Sequence, residues 1–218
     1  MKVYDCFCFY NEFELLELRL KSLNDVVDYF VLVEADKTQT HKPKPFYFNE
    51  RKNDFAEFLP KIRHLMVKMD VPDRGVGDWT IENLQRNAIA KGLTDAEPED
   101  LVFISDLDEI WAPDVLQRIN NNAVQILMMY PTNTIVNGAR IGIPCQPIIH
   151  SLNVLDATPL AMHQQMFSYY INRLNKSMWQ GSIITKYKNL STPQALRNSR
   201  VILLRIMGGG CILTVWAA

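Results

Sequence analysis

The sequence lacks several patterns that identify large classes of enzymes. Only nine of its 218 residues are glycine, and neither Gly-x-Gly-x-x-Gly nor a phosphate-binding loop ending in Gly-Lys-Ser/Thr occurs. A Gly-x-Ser-x-Gly nucleophile motif is absent as well. These absences argue against nicotinamide enzymes, ordinary kinases and serine hydrolases of the α/β type.

An excess of charge of one sign is also missing, because 23 basic residues stand against 24 acidic ones. A nucleic-acid binder normally carries a basic excess to offset phosphate repulsion, so we expect no nucleic-acid partner. No apolar run reaches the roughly 18 residues that a membrane-spanning helix needs, so we expect no transmembrane segment. Asp5 and residues 11–14 interrupt the apolar N-terminal run, which argues against a signal peptide.

Cysteine is sparse, and Cys6, Cys8, Cys145 and Cys211 lack the spacing of a metal site. We expect these thiols to be reduced and buried, in a cytosolic protein. The four histidines also lack metal-ligand spacing, which favours structural or surface roles for them. Length and a hydrophobic content of 48% fit one globular domain over residues 1–218.

Strands and helices alternate along the first half of the chain, and this predicts an α/β fold with a largely parallel sheet. Apolar runs rich in β-branched and aromatic residues predict the strands, and helical spacing of leucines predicts the first helix. Asn11 and Asp78 are expected to cap helices. The predicted strands are residues 3–10, 29–34, 62–69 and 101–104, and the predicted helices follow Asn11 and span residues 49–58, 78–91 and 113–119.

The second half has a weaker pattern. Residues 125–130, 167–172 and 182–187 are predicted strands, and residues 193–198 form a predicted short helix. Residues 122–156 show no clear period, so we expect short strands or an insertion there.

The strongest chemical signal is the group of Asp106, Asp108 and Glu109, directly after the apolar strand at residues 101–104. Ligands of open parallel sheets bind beyond the carboxyl ends of the strands. Two carboxylates two positions apart can face one Mg²⁺ or Mn²⁺ ion, which would bridge the oxygens of a diphosphate. The alternative is a solvated acidic turn in which Asp108 or Glu109 caps the next helix.

Three further places could contact a ligand. Arg86 and Asn87 could reach a nucleotide, although the spacing alone favours an ordinary surface ion pair of Arg86 with Glu82, four positions earlier. Glu34 ends the second predicted strand, where it could bind a sugar hydroxyl or belong to a polar loop. Trp179, with Gly181 and Ser182, could form a turn whose aromatic ring stacks on a sugar, or a hairpin with a tryptophan in the core.

Several segments, in this order, resemble glycosyltransferase family 17. The acidic segment Ile104-Ser105-Asp106-Leu107-Asp108-Glu109-Ile110 is one of them, and Gln85-Arg86-Asn87 is another. No single segment identifies the family by itself, but the occurrence of so many matching segments in the same order is highly specific for it. The other matching segments are residues 9–12, 15–20, 26–34, 38–45, 166–170 and 179–182.

The resemblance implies a GT-A-like nucleotide-sugar-binding fold and an inverting transfer of a sugar, N-acetylglucosamine, from a UDP-sugar to a glycan hydroxyl. Asp106 and Asp108 then become the metal-binding motif for Mn²⁺ or Mg²⁺. The remaining residues that it implicates are Glu34, Arg86 and Asn87 at the donor, and Trp179, Gly181 and Ser182 at the acceptor or sugar. Inversion also needs a carboxylate or histidine that takes the acceptor proton; the resemblance does not identify this base, and we take Glu109 as the candidate.

The tail at residues 201–218 departs from the family, which usually continues Gly-Gly-Trp-His-Phe where this chain has Gly208-Gly209-Gly210-Cys211-Ile212. A frameshifted or truncated end would explain the difference, and it leaves a catalytically impaired nucleotide-sugar-binding protein as one alternative. A phosphatase of the haloacid-dehalogenase type is the other alternative. That class also uses Asp-x-Asp after a strand, but it normally has Thr or Val where Ile110 stands.

Overall fold

The computed structural model describes residues 1–75, 77–121, 124–127, 135–136, 139–140, 148–150, 153–168, 174–201 and 203–214. The chain divides into two units, and the division falls between Leu107 and Asp108. The first unit comprises residues 1–107 and a returning segment, residues 186–197. The second comprises residues 108–185 and 198–218.

The first unit contains a four-stranded parallel sheet with the strand order β3-β2-β1-β4. Strands and helices alternate along the chain, as predicted, so each parallel pair is joined by a crossover. In chain order the elements are β1 (Val3–Phe9), α1 (Phe13–Leu23), β2 (Tyr29–Ala35), α2 (Tyr47–Arg51), β3 (Ile62–Val67), α3 (Thr80–Asn87) and β4 (Leu101–Asp106).

The central strands are apolar because they are buried on both faces, as parallel strands covered by helices are. In α1, Leu16, Leu20 and Leu23 recur at helical spacing and are fully buried. Together these side chains form the apolar interior of the first unit.

The two predicted helix caps have different outcomes. Asn11 does not cap α1, because the residue before the helix is Glu12, whose carboxylate accepts hydrogen bonds from the backbone N–H groups of Tyr10 and Asn11. Asp78 also lies one position before the N-cap residue, which is Trp79, but its Oδ1 accepts a hydrogen bond from Thr80 N at 2.9 Å and so pairs a backbone N–H of the first turn of α3. The helix that follows ends at Asn87 and continues as a 3₁₀ helix, Ala88–Gly92.

The strand order identifies the end of this sheet at which folds of this kind bind ligands. The order reverses between β1 and β4, and open α/β sheets bind ligands at such a reversal, outside the carboxyl ends of the strands. Cys8 of β1 is paired with Asp106 of β4, and Phe9 is paired with Glu34 of β2. Asp106 therefore stands at the reversal point.

In the second unit, β10 pairs in parallel with β12 and β13 and antiparallel with β11. Strand β13 also pairs antiparallel with β5, and β6 lies antiparallel to both β12 and β9. The elements in chain order are β5 (Glu109–Trp111), α4 (Asp114–Asn120), β6 (Val124–Leu127), β7 (Ile135–Val136), β8 (Ala139–Arg140), β9 (Ile148–His150), α5 (Asn153–Ala157), β10 (Leu160–Ser168), β11 (Leu174–Lys186), α6 (Pro193–Ser199), β12 (Leu204–Ile206) and β13 (Gly210–Thr214).

The structure describes only part of the second half that the sequence predictions cover. Residues 179–182 do not form a turn, because they lie inside the long strand β11, where Trp179 and Gln180 pair with Gln164 and His163 of β10. The antiparallel pairing of β10 with β11 agrees with the hairpin alternative, but Trp179 is only partly buried and does not lie in the core. Much of the expected insertion, residues 122–156, lies outside the described residues, and so do residues 169 and 170 of the family pattern. The described part of the tail adds β12 and β13 to the sheet of the second unit.

The predicted fold class is confirmed: the protein is an α/β protein with a mostly parallel central sheet, the arrangement that a GT-A-like fold requires. The described cysteines, Cys6, Cys8 and Cys211, are free thiols, and burial raises the pKa of the Cys8 thiol to about 12. Within the described parts of the chain, no helix has both the length and the apolar character needed to cross a membrane.

Candidate functional site

Asp106, the last residue of β4, is held by two arginines from different parts of the first unit. Its Oδ1 accepts a hydrogen bond from Arg86 Nη2 at 2.8 Å, and its Oδ2 accepts one from Arg197 Nη2 at 2.7 Å. Arg86 comes from α3 and Arg197 from α6. We call these three residues the Asp106–arginine cluster.

Burial differs sharply within the Asp106–arginine cluster. The side chains of Arg86 and Arg197 are 5% and 3% exposed, whereas that of Asp106 is 42% exposed. Burial alone would raise the pKa of Asp106, but the guanidinium groups of Arg197 and Arg86 hold that pKa below its ordinary value. The carboxylate is therefore ionised and open to solvent, and its cationic partners lie behind it in the protein.

Neighbouring side chains fix the position of the arginines. Arg86 Nη1 donates to Gln194 Oε1 at 2.6 Å, and Arg86 Nη2 donates to Glu82 Oε1 at 2.9 Å. The Oδ1 of Asn87 accepts a hydrogen bond from the backbone N–H of Gln194 at 3.0 Å, at the start of α6. Gln194 and Arg197 are three positions apart, so they lie on the same face of α6. Asn87 thus anchors the helix that brings Arg197 to Asp106.

A buried arginine holds the backbone that follows β4. Arg19 Nη1 donates to the carbonyl oxygens of Asp106 and Leu107, at 2.9 and 3.0 Å. Its Nε and Nη2 donate to the two carboxylate oxygens of Asp5, both at 2.7 Å, and Nη2 also donates to Ser105 Oγ at 2.6 Å. Arg19 and Asp5 are both fully buried. This bidentate pair fixes the position at which the acidic segment leaves the sheet.

Glu34 stands apart from the Asp106–arginine cluster, two strands away along the same edge of the sheet. Its carboxylate is fully buried, and it accepts hydrogen bonds from Phe48 N at 2.9 Å and His64 Nε2 at 3.0 Å. Lys44 Nζ lies 3.9 Å from the same carboxylate. These contacts tie the loop after β2 and the helix α2 to β3.

In the second unit, Glu109 accepts hydrogen bonds from two of the predicted sugar-contact residues. Trp179 Nε1 donates to Glu109 Oε1 at 2.6 Å, and Ser182 Oγ donates to the carbonyl oxygen of Glu109 at 2.9 Å. A side chain at Gly181 would overlap Gln164 Oε1, which accepts a hydrogen bond from Ser182 N at 2.9 Å. Gly181 is thus needed for close packing of β10 and β11.

The expected helix-capping alternative for Glu109 is not observed, because Glu109 lies in β5 and α4 begins only at Asp114. The carboxylate of Glu109 is almost completely buried, with 1% of the residue exposed. Asp108, the first residue of the second unit, is partly exposed. The acidic segment therefore combines one buried carboxylate with two that solvent can reach.

A second set of possible metal ligands lies in the first unit, in loops that are far apart in the sequence. His41 Nε2 is 3.2 Å from Asp78 Oδ2 and 3.9 Å from Asp73 Oδ1, and the three donor atoms lie within 4.8 Å of one another. Hydrogen bonds from Thr80 lower the pKa of Asp78 to about 2. The separation of 37 positions between His41 and Asp78 gives no local spacing that a sequence pattern could reveal.

Comparison with known proteins gives a consistent result. The model of glycosyltransferase family 17 matches residues 1–129. Beta-1,4-mannosyl-glycoprotein 4-beta-N-acetylglucosaminyltransferases of Homo sapiens and Rattus norvegicus are both 30% identical to the chain over 110 residues, and the Mus musculus protein is 29% identical. These matches cover 48% of this chain but only 20–21% of the relatives, so the chain spans about a fifth of their length.

One solved structure is similar over 98% of this chain and 56% of its own, with a TM-score of 0.46 and 14% identity. It is the mannosyltransferase PcManGT from Pyrobaculum calidifontis in complex with GDP-Man and Mn²⁺.

Proposed function

The chain belongs to glycosyltransferase family 17, and from this membership we propose that it transfers a sugar from a nucleotide-sugar donor to a glycan hydroxyl. The observation that carries the proposal is the position of Asp106 at the strand-order reversal of a parallel sheet, where such folds bind nucleotides. We further propose UDP-N-acetylglucosamine as the donor, because the curated relatives are named for N-acetylglucosaminyl transfer. Transfer with inversion is the mode that the family resemblance implies.

Asp106 and Asp108 are proposed to hold Mn²⁺ or Mg²⁺. Carboxylate oxygens are the ligands that these hard cations prefer, and the 42% exposure of the Asp106 side chain lets an ion reach it. The donor set therefore fits the ion. When bound, such a cation neutralises the charge that develops on a departing diphosphate.

The chain's own residues supply the other roles. Arg86 is proposed to bind the donor, and Asn87 contributes by anchoring the first turn of α6. Glu34, which lies in β2 at the same carboxyl end of the sheet, is proposed to contact the nucleotide-sugar donor.

For the acceptor side, Trp179, Gly181 and Ser182 are proposed to form the sugar contact. Glu109 is proposed as the base that takes the proton of the acceptor hydroxyl. Burial and the Trp179 N–H hold its carboxylate in one orientation, as a base of this kind requires.

Family membership favours transfer over the phosphatase alternative. The remaining alternative is a protein that binds a nucleotide sugar but has lost catalysis. Both readings predict UDP binding, whereas only the first predicts consumption of UDP-N-acetylglucosamine, so the two are separated by measuring binding and turnover on the same sample.

We expect calorimetric titration of the chain with UDP to show binding that strengthens when Mn²⁺ is added. Asp108→Ala should weaken the Mn²⁺-dependent part at least about tenfold, because one charged ligand of the ion is removed. Asp114→Ala, which removes an exposed aspartate from α4, is the matched control and should bind UDP like the unaltered chain. Absence of UDP binding at every metal concentration would contradict the proposal.

A further inference from the structure

Both carboxylate oxygens of Asp106 accept hydrogen bonds from buried guanidinium groups, one from Arg86 and one from Arg197. These arginines are nine-tenths or more buried, yet each directs an Nη2 donor to the one exposed carboxylate of the cluster. Arg86 Nε is also buried without a hydrogen-bond partner. Two cationic groups therefore lie behind the carboxylate of Asp106 at the carboxyl end of the sheet, and Glu82 is a second anionic partner of Arg86.

A divalent cation or a diphosphate that binds here must compete with the ion pairs of the Asp106–arginine cluster. A divalent cation at Asp106 must share the carboxylate with two positive groups less than 3 Å away, so those groups oppose its binding. A diphosphate is attracted to the same guanidinium groups, which bind phosphate oxygens with directed N–H donors, but Asp106 already occupies them. Each ligand alone therefore meets an unfavourable partner.

The two ligands together remove this conflict. If a cation takes the carboxylate of Asp106, Arg197 Nη2 and Arg86 Nη2, which also donates to Glu82, can turn to the phosphate oxygens. Each of the exchanging charges then keeps an opposite partner. Building on the proposed function, we propose that Arg86 and Arg197 form the diphosphate-binding site of the donor, and that cation and diphosphate enter by exchanging partners with the Asp106–arginine cluster. Cation and nucleotide then tighten each other's binding by the same factor, as linkage requires.

Arg197 is the better residue for the test. It comes from the returning segment, beyond the 129 residues that the family model matches, and none of the resemblances implicated it. Removal of Arg86 would also break its hydrogen bonds to Glu82 and Gln194, which hold α3 and α6. Substitution of Arg197 by glutamine keeps a polar side chain and removes one competitor for Asp106.

If cation and diphosphate exchange partners with the Asp106–arginine cluster, Arg197→Gln should change the affinities for Mn²⁺ and for UDP in opposite directions. Titration of the full chain with Mn²⁺ alone should show affinity raised about tenfold, because one competing cation has been removed from Asp106. Titration with UDP at saturating Mn²⁺ should show affinity lowered about tenfold, because one phosphate-binding guanidinium has been lost. If Arg197 had a purely structural role, its substitution would weaken the binding of both Mn²⁺ and UDP, because both ligands need the same folded end of the sheet.

Lys188→Gln is the matched control, because it removes a positive charge from the same returning segment where Lys188 pairs with Glu99. It should leave both affinities unchanged. If Arg197→Gln fails to fold by circular dichroism, Arg197→Lys serves instead, with the same signs and smaller effects.

The outcomes are distinguishable from failure of the proposed function. If the unaltered chain binds UDP with Mn²⁺ but the arginine variant binds Mn²⁺ no more tightly, or binds UDP equally well, the exchange is wrong and the function stands. If the unaltered chain does not bind UDP under any condition, both proposals are overturned.

Discussion

At the scale of single residues, the acidic segment depends on an arginine that no local pattern marks. Arg19 lies on the buried face of α1 among leucines, where the sequence reads as ordinary helix. In the structure its guanidinium binds Asp5 and three groups of the chain at residues 105–107. A charged side chain at a core position of a predicted helix was the available signal, because such residues are buried only when paired.

We expect Arg19→Met to lower the free energy of unfolding by about 3–5 kcal/mol, because the buried carboxylate of Asp5 would lose its bidentate guanidinium partner. The measurement is urea unfolding of the full chain. The double variant Arg19→Met with Asp5→Leu should recover much of the loss, since replacing both partners by apolar groups leaves neither charge of the pair buried.

The exposed ion pair of Arg51 with Asp54 provides the control for this prediction. Arg51→Met should cost less than about 1 kcal/mol, as exposed pairs usually do. An Arg19→Met variant no less stable than this control would show that the buried pair does not support the sheet.

The residue scale also shows what sequence could and could not predict of the site. Asp106, Arg86 and Asn87 were identified because they belong to segments with recognisable local patterns. Arg197 was not, because it lies 91 positions after Asp106 in the chain and its importance comes only from the fold. Glu34 was identified as polar at a strand end, but only the structure shows its full burial with Phe48 and His64.

At the scale of elements, the first half of the fold was predictable because strands and helices there have clear, different periods. The four strands of the parallel sheet were all predicted, with ends within three residues of those observed. Only the last part of the long strand β11 was predicted, as the strand at residues 182–187, since its 13 residues lack the regular alternation that identifies a strand. Its ladder with β10 also contains register shifts, which disrupt a simple two-residue pattern.

A glycine shows how closely two elements of the first unit approach. Gly92 ends the 3₁₀ helix after α3, and a Cβ atom built there would lie 2.5 Å from Val31 Cγ1 and 3.3 Å from Leu65 Cδ1. Val31 is fully buried in β2 and its β-branched side chain cannot turn aside easily. Glycine is therefore required here by packing.

We expect Gly92→Ala to lower the free energy of unfolding by about 1–3 kcal/mol, the usual cost of overpacking a core. This is opposite in sign to the effect of the same change on an exposed helix, where alanine is favoured over glycine. Urea unfolding would measure it, with Val31→Ala and the double variant as controls. If relief of the overlap is the cause, the double variant will be more stable than the sum of the single changes predicts.

At the scale of the whole molecule, titratable groups with shifted pKa values divide between the two units. In the second unit, burial and the nearby charge of Arg205 lower the pKa of His163 from 6.5. In the first unit, hydrogen bonds from Thr80 and from Arg63 lower the pKa values of Asp78 and Asp95 from 3.8 to about 2. The two units should therefore respond to acid in different ranges of pH.

The sign of each response follows from proton binding. Below pH 6.5 the unfolded chain protonates His163 while the folded second unit resists protonation, so the second unit loses stability as the pH falls from that value. Asp78 and Asp95 contribute their full stabilisation above pH 3.8, and this contribution is lost as the pH falls toward about 2. Mild acid should thus weaken the second unit before the first.

Hydrogen exchange measured by mass spectrometry, after correction for the intrinsic pH dependence of exchange, would resolve the two units. Between about pH 7.5 and about pH 5 we expect peptides from β10 and β12 to lose protection while peptides from β1 and β4 keep theirs. His163→Gln removes the titrating group and should abolish the difference in the second unit. Equal loss of protection in both units, or an unchanged pH response in the His163→Gln variant, would show that acid acts through other groups.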